Sequence, residues 1–320
     1  MERKRISLLS CLILLVLLLG VGLFLASQYM LSYSLQPTCE AYDEESTLIK
    51  KAKEYPWQKD WIDSLRECRG LHDLRIISQQ NGTALHAVYM PAVVPNSKTA
   101  LLVHGYGCCS LDMIHIAYIY HHILGMNVLM PDLYGHGDSM GDHVNMGWLD
   151  RLDVLQWVTV ADSLYGGNTQ MVMHGISMGG ATVMMASGEQ VPACVRAYVD
   201  DCGYTSVWDE FAGELRARFS LPTFPLMYTT SWLCHQRYGW DFREASSMKQ
   251  LSHCRLPMLF IHGDKDTFVP TRMVYELYRC KPQPKRIWIS KGSKHARSYS
   301  DYPEEYTRQV TSFVKDYLPN

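Results

Sequence analysis

A chain of 320 residues can hold one large domain with a substantial core, or two small ones. Its 30 Lys+Arg against 32 Asp+Glu leave no basic excess, which argues against a nucleic-acid surface or a polyanionic partner. With 11% aromatic residues, no internal repeat and no low-complexity tract, the composition suits a globular enzyme rather than an array or a disordered chain.

The first 26 residues differ from the rest. Residues 1–5 form a short basic head, Glu2-Arg3-Lys4-Arg5 after the initial Met1. From Ile6 to Ala26 there is no charged residue and leucine dominates. As a helix rising 1.5 Å per residue, this stretch spans about 31 Å, the thickness of a bilayer core. The basic head predicts that the N-terminus stays in the cytoplasm and the remainder crosses. A cleaved signal peptide is the rival reading, leaving a secreted domain. Its apolar region is normally about 7–15 residues and ends in a small-x-small site. Ser32-Tyr33-Ser34 is a passable site, but the length of the apolar run favours an uncleaved anchor over residues 6–26. Residues 27–69 are expected to be a tether and a helical lead-in, charged from 43 onward and broken at Pro56.

A domain is expected over residues 70–320. Leu74–Ser78 and Leu85–Met90 have strand character and are joined across Asn81-Gly82, a strong hairpin signal. Alternation follows. Strands are predicted at Ala100–Val103, Val128–Met130, Gln170–Met173, Val195–Val199, Met258–Ile261 and Arg286–Ile289. Between them, Ile114, Ala117, Tyr118, His121 and Leu124 recur at helical spacing, and Leu149, Leu152, Leu155 and Val158 make a second helix face. Helices are also expected at Ala181–Ala186, Arg272–Tyr278 and Glu305–Tyr317. The pattern predicts an α/β fold, a mostly parallel central sheet with helices on both faces and the hairpin at one edge. Residues 205–250 interrupt it with Trp208, Phe211, Phe219, Phe224, Trp232 and Trp240, split by Pro222 and Pro225. Pockets in such sheets lie at the strand C-termini, so this insertion is expected to be a helical cap.

The chemistry centres on Gly175-Ile176-Ser177-Met178-Gly179. A short apolar strand turning sharply into a helix leaves a serine strained and exposed at the top of the sheet. A serine hydroxyl needs a base, and the base needs an acid to orient it. Asp266 follows the strand at 258–261, in Gly263-Asp264-Lys265-Asp266, and sits further into its loop than Asp264. His295 follows the last strand. The expected catalytic residues are therefore Ser177, Asp266 and His295. His136, in a Gly-His-Gly loop, competes for the base and reads as structural. Asp200 and Asp201 compete for the acid. An oxyanion hole would use the N–H of Met178 and that of Tyr106, which lies in His104-Gly105-Tyr106-Gly107 after an earlier strand.

No cofactor is expected. The chain has no dinucleotide or phosphate loop and no His-Glu-x-x-His, and His121-His122 have no third ligand in spacing, so no metal site is assigned. The ten cysteines have no zinc or redox spacing. In an exported domain Cys39 with Cys68, or Cys194 with Cys202, could be bridged, although most read as small buried side chains.

With these residues in place, the chain resembles the α/β-hydrolase superfamily of serine hydrolases over roughly residues 70–320. The matching runs are His104-Gly105-Tyr106-Gly107, Pro131–Ser139 with its Asp-x-x-Gly-His-Gly-x-Ser, Gly175–Gly179, Gly263–Asp266 and His295. Gly147-Trp148-Leu149-Asp150-Arg151-Leu152-Asp153 also resembles a bacterial, membrane-anchored, esterase- or peptidase-like subgroup. The resemblance implies hydrolysis of a small-molecule ester or a peptide through an acyl-enzyme, and names no substrate. The ester is favoured, because an amide's poor leaving group must be protonated and no clear acidic cluster marks residues 205–250 as a seat for a peptide amine. A catalytically silent binding module on this fold predicts a damaged triad, whereas all three positions are filled.

Overall fold

The structure, a computed structural model, describes residues 2–37 and 43–318, with side chains from residue 8. Helix α1 (Glu2–Leu35) is followed by α2 (Glu44–Glu54) and α3 (Lys59–Cys68), with a short 3-10 turn from Pro56 where the chain changes direction. Asp43 caps α2 by accepting the Ser46 N–H at 2.8 Å.

Among the described residues, eight strands build one sheet in the order β1-β2-β4-β3-β5-β6-β7-β8. They are β1 (His72–Ile77), β2 (Ala84–Met90), β3 (Lys98–Val103), β4 (Asn127–Pro131), β5 (Gln170–Ile176), β6 (Val195–Asp201), β7 (Met258–Gly263) and β8 (Lys285–Ser290). β1 and β2 form the antiparallel edge and all pairings from β4 to β8 are parallel. All eight expected strands are present. The central ones are buried on both faces, which is why they read as unbroken apolar runs. Alternation splits their side chains between two cores: Leu101 and Val103 face one, Ala100 and Leu102 the other.

Helices cover both faces. They are α4 (Ile114–Ala117), α5 (Asp150–Leu164), α6 (Met178–Ala186), α7 (Val207–Phe219), α8 (Leu226–Tyr238), α9 (Ser247–Leu251), α10 (Arg272–Cys280), α11 (Ser298–Asp301) and α12 (Pro303–Tyr317). The chain leaves β3 toward β4 on one side and returns to β5 on the other. The loops after β3 and β5 therefore diverge over a switch point, where ligands bind in open α/β sheets.

Four expectations need correction. Residues 27–35, read as tether, continue α1 as helix, and Leu31 and Leu35 are buried in the core. The stretch 110–123 is a succession of 3-10, α and π turns rather than one regular helix. On α5 the buried face is Asp150, Asp153, Val154, Trp157 and Val158, while Leu152 and Leu155 are only half-buried. The helix can turn acids inward because Asp150 accepts the Gly147 N–H at 2.9 Å and Asp153 accepts the Ser78 hydroxyl at 2.5 Å. Finally, Cys194 and Cys202 are both free thiols. They flank β6 at opposite ends, roughly 25 Å apart for a strand of that length, far beyond disulfide reach. Cys39 lies outside the described residues, and Cys68 is a free thiol.

Candidate active site

β5 ends at Ile176 and α6 begins at Met178, so a single residue makes the turn. Ser177 makes it at φ 56°, ψ −118°, a region a non-glycine residue enters only under constraint. The constraint is visible on both sides. The Ser177 N–H donates to Asp201 O at 2.7 Å, and Ser177 O accepts from Ala181 N at 2.9 Å. A Cβ on Gly175 would stand 2.0 Å from Gly179 O, and one on Gly179 would stand 2.0 Å from Val103 O. The Gly-x-Ser-x-Gly pattern is thus a packing requirement of the turn.

The loops after β7 and β8 bring Asp266 and His295 to this serine. Ser177 Oγ lies 2.8 Å from His295 Nε2, and His295 Nδ1 lies 2.7 Å from Asp266 Oδ2. With Nδ1–H donating to the carboxylate, Nε2 is free to accept the serine proton. The second oxygen of Asp266 accepts the N–H groups of Phe268 and Val269, both at 3.0 Å. Burial pushes the Asp266 carboxyl up, but the bonds from His262 and His295 outweigh it and hold the group below its ordinary range. Asp264 instead closes the turn, accepting the Gly292 N–H at 2.6 Å.

Tyr106 and Met178 both line the space above Ser177. Met178 opens α6, where first-turn N–H groups lack intrahelical partners. Among the described residues neither backbone N–H meets an acceptor. Gly105 is packed against the serine, its absent Cβ falling 3.9 Å from Ser177 Oγ. His104 fixes this loop by accepting Leu133 N–H at Nε2 (3.0 Å), and burial keeps its ring neutral-leaning.

The competing residues go elsewhere. His136 donates from Nδ1 to Tyr134 O at 3.0 Å, and burial depresses it to about 3. Asp200 accepts from Gly203 N, and burial lifts it to about 7. Asp201 accepts the Tyr306 hydroxyl at 2.9 Å, and burial lifts it to about 6. In the Asp-x-x-Gly-His-Gly-x-Ser run, Asp132 is structural. It gathers Ser110 N–H at 2.6 Å, Asp138 N–H at 3.0 Å and His86 Nδ1 at 2.7 Å. A Cβ on Gly137 would collide with that carboxylate at 2.3 Å.

Sequence reasoning missed two groups here. His262 is buried, and its Nε2–H donates to Val269 O at 2.9 Å and faces Asp266 Oδ2 at 3.2 Å. Its i, i+4 spacing to Asp266 was the available signal. Glu210 is the second. Four-hundredths exposed, it lines the cavity above Ser177 with both carboxylate oxygens unpartnered, and burial lifts it to about 8. Glu214 lines the same cavity, paired to Arg218, so the 205–250 segment does present acids there. The cavity measures about 380 Å³, and its other walls include Met30 and Tyr33 of α1 and Leu215 and Phe242 of the insertion.

Among the described residues, two clusters have metal-ligating residue types, Cys202 with Asp266 and His295, and His235 with Asp241 and Glu244. In the first, the acid and histidine bind each other and burial holds the Cys202 thiol protonated. In the second, Asp241 accepts the Arg243 and Glu244 N–H groups and Glu244 accepts Trp148 Nε1.

Residues 100–311 match the profile of the alpha/beta hydrolase family. The chain is similar to YqkD of Bacillus subtilis strain 168, an uncharacterized protein, at 28% identity over 224 residues, 70% of this chain and 72% of that protein. Its fold is similar to that of the Pyrococcus furiosus esterase Pf2001, with a TM-score of 0.63 at 21% identity, covering 78% of this chain and 91% of the esterase. The acylaminoacyl peptidase of Pyrococcus horikoshii shares the fold at a TM-score of 0.58 and 17% identity, over 78% of this chain and 41% of the peptidase.

Proposed function

The chain belongs to the alpha/beta hydrolase family, and we propose that it is a serine hydrolase that cleaves a carboxylic ester through an acyl-enzyme. The observation that carries the reading is the unbroken relay from Ser177 Oγ to His295 at 2.8 Å and from His295 to Asp266 at 2.7 Å. Ser177 Oγ attacks the ester carbonyl carbon while His295 Nε2 takes its proton. Asp266 holds the ring's tautomer and stabilises the imidazolium. The Tyr106 and Met178 N–H groups receive the carbonyl oxygen as it becomes an oxyanion. His295 then returns the proton to the departing alcohol, and water repeats the sequence to release the acid.

A serine peptidase on the same triad is the second reading, and Glu210 is what favours it, since a buried acid in the cavity could seat a peptide's α-amine. Against it, a carboxyl at about 8 is mostly protonated at neutral pH and is a poor counter-ion. An intact relay argues against a silent binding module.

We read residues 205–250 as the cap over Ser177. α1 reads as an uncleaved anchor with the catalytic domain outside the cytoplasm, in a bacterial membrane-anchored subgroup. Cutting at Ser32–Ser34 would strip buried Leu31 from the core, which favours retention over secretion.

The test is fluorophosphonate labelling of the full chain, wild type against Ser177→Ala, with acyl esters and aminoacyl amides assayed beside it. Labelling lost in the variant, with esters turned over in preference to amides, is expected. Failure of folded wild type to label would overturn the hydrolase reading.

A further inference from the structure

Resting on the ester-hydrolase reading, we infer that the cavity over Ser177 opens beside the bilayer and takes the acyl chain of a membrane lipid ester. The first ground is continuity of one helix. Leu12 to Leu19 of α1 are all more than half exposed, a surface that water does not tolerate and hydrocarbon does. The same unbroken helix then supplies Met30, Tyr33 and Ser34 to the wall of the cavity that holds Ser177. Leu25, still exposed, is only about 8 Å along the axis from Met30. A chain leaving the hydrocarbon would need to move little further to reach the serine.

The second ground is the surface beside α1. α8 packs along it, and polar bonds fix the pair: Ser27 Oγ shares a hydrogen bond with Thr229 Oγ1 at 2.5 Å, and Arg237 donates to Gln28 Oε1 at 2.6 Å. On the outer side, Phe224 is 70% exposed and Trp232 is 56% exposed, with Tyr228 between them. Tyr228 and Trp232 share a helix face at i, i+4, and Phe224 meets Tyr228 edge to face at 5.7 Å. Tyr29 and Tyr33 of α1 stack on each other, directly after Gln28, which accepts from Arg237 of α8. Tryptophan, tyrosine and arginine gathered where an apolar helix ends are the composition of a membrane–water interface.

The third ground is the cavity itself. Met30, Leu215, Leu226, Met227 and Phe242 give it an apolar lining of a size that holds a small ligand. Its Glu214 is paired to Arg218. Glu210, unpartnered and buried, is mostly protonated at neutral pH, so a hydrocarbon chain meets no bare charge on that wall.

The test uses the full-length protein in vesicles of ether-linked phosphatidylcholine, which contains no ester. A dodecyl fluorophosphonate should label Ser177 at least about tenfold faster than a butyl one, since burying even two of its eight additional methylenes is worth about tenfold. 1,2-Dioleoylglycerol placed in the protein's own vesicles should be hydrolysed at least tenfold faster than the same amount in separate vesicles. Met30→Trp should lower the dodecyl-to-butyl ratio. Equal labelling by both chains, or equal hydrolysis from both vesicle populations, would overturn this inference and leave the hydrolase reading standing. Absence of labelling by either probe would overturn both.

Discussion

His262 Nε2 lies 3.2 Å from Asp266 Oδ2, the same oxygen that meets His295 Nδ1 at 2.7 Å. Together with the two N–H groups on Oδ1, this leaves the carboxylate with one orientation. Burial alone would lower His262, but its bonds to Asp266 and Val269 outweigh that and raise it. In the proposed relay, His262 is thus a positioning residue, acting on Asp266 rather than on substrate. His262→Ala is expected to reduce kcat about ten- to a hundredfold with KM little changed, the cost of loosening a relay. His262→Gln, whose amide can still donate to Asp266, should recover part of the loss. Steady-state kinetics decide it: equal kcat for both variants would mean that the ring only packs.

Ser177 carries backbone strain as well as its hydroxyl. At φ 56° and ψ −118° a side chain is held where glycine is at ease. Ser177→Gly should abolish ester turnover, by a factor on the order of 10⁴ or more. The same variant should raise stability by about 1 kcal/mol. Denaturant unfolding of both proteins in one detergent is the check. An unchanged or lowered midpoint would mean that the elbow stores no strain.

Much of this was legible in the sequence, for physical reasons that also mark its limits. Strands buried on both faces read as apolar runs, and the order of nucleophile, acid and histidine along the chain singled out Ser177, Asp266 and His295, which the fold brings within hydrogen-bond distance. α5 was misread because hydrophobic periodicity cannot foresee Asp150 and Asp153 turning inward onto Gly147 and Ser78. Thirteen histidines hid His262, whose role depends on a loop closing back over it. The end of α1 was missed because leucine spacing does not distinguish an exposed helix face from one in a protein core: Leu25 is exposed and Leu31 is buried on the same helix.

That division of α1 is itself measurable. Leu31 is fully buried in the domain core, whereas Leu17 is 60% exposed. Leu31→Ala should destabilise the domain by about 2–5 kcal/mol, the usual cost of a core truncation. Leu17→Ala should change it by less than about 0.5 kcal/mol. Thermal unfolding in micelles separates them. Equal effects would mean that the end of α1 is not part of the folded domain.

Glu210 gives the pH dependence a sign. Burial, with Glu214 and Asp266 nearby, lifts its folded pKa to about 8 from an ordinary value near 4.5. A group raised on folding contributes stability that is fully present below about pH 4.5 and is lost as pH rises through 8. Asp150 and Asp200, lifted by burial to about 7, act in the same direction. Asp132 and Asp266 act oppositely, because their bonds hold them low and their contribution disappears in acid. Glu210→Gln keeps the shape and removes the titration. It should match wild type near pH 4.5, gain stability relative to it as pH rises toward 8, and level off above that, by a few kcal/mol at most. The melting temperature of both proteins across that range tests it. A constant difference would mean that Glu210 is already ionised in the fold, and its carboxylate would then be free to hold a substrate cation.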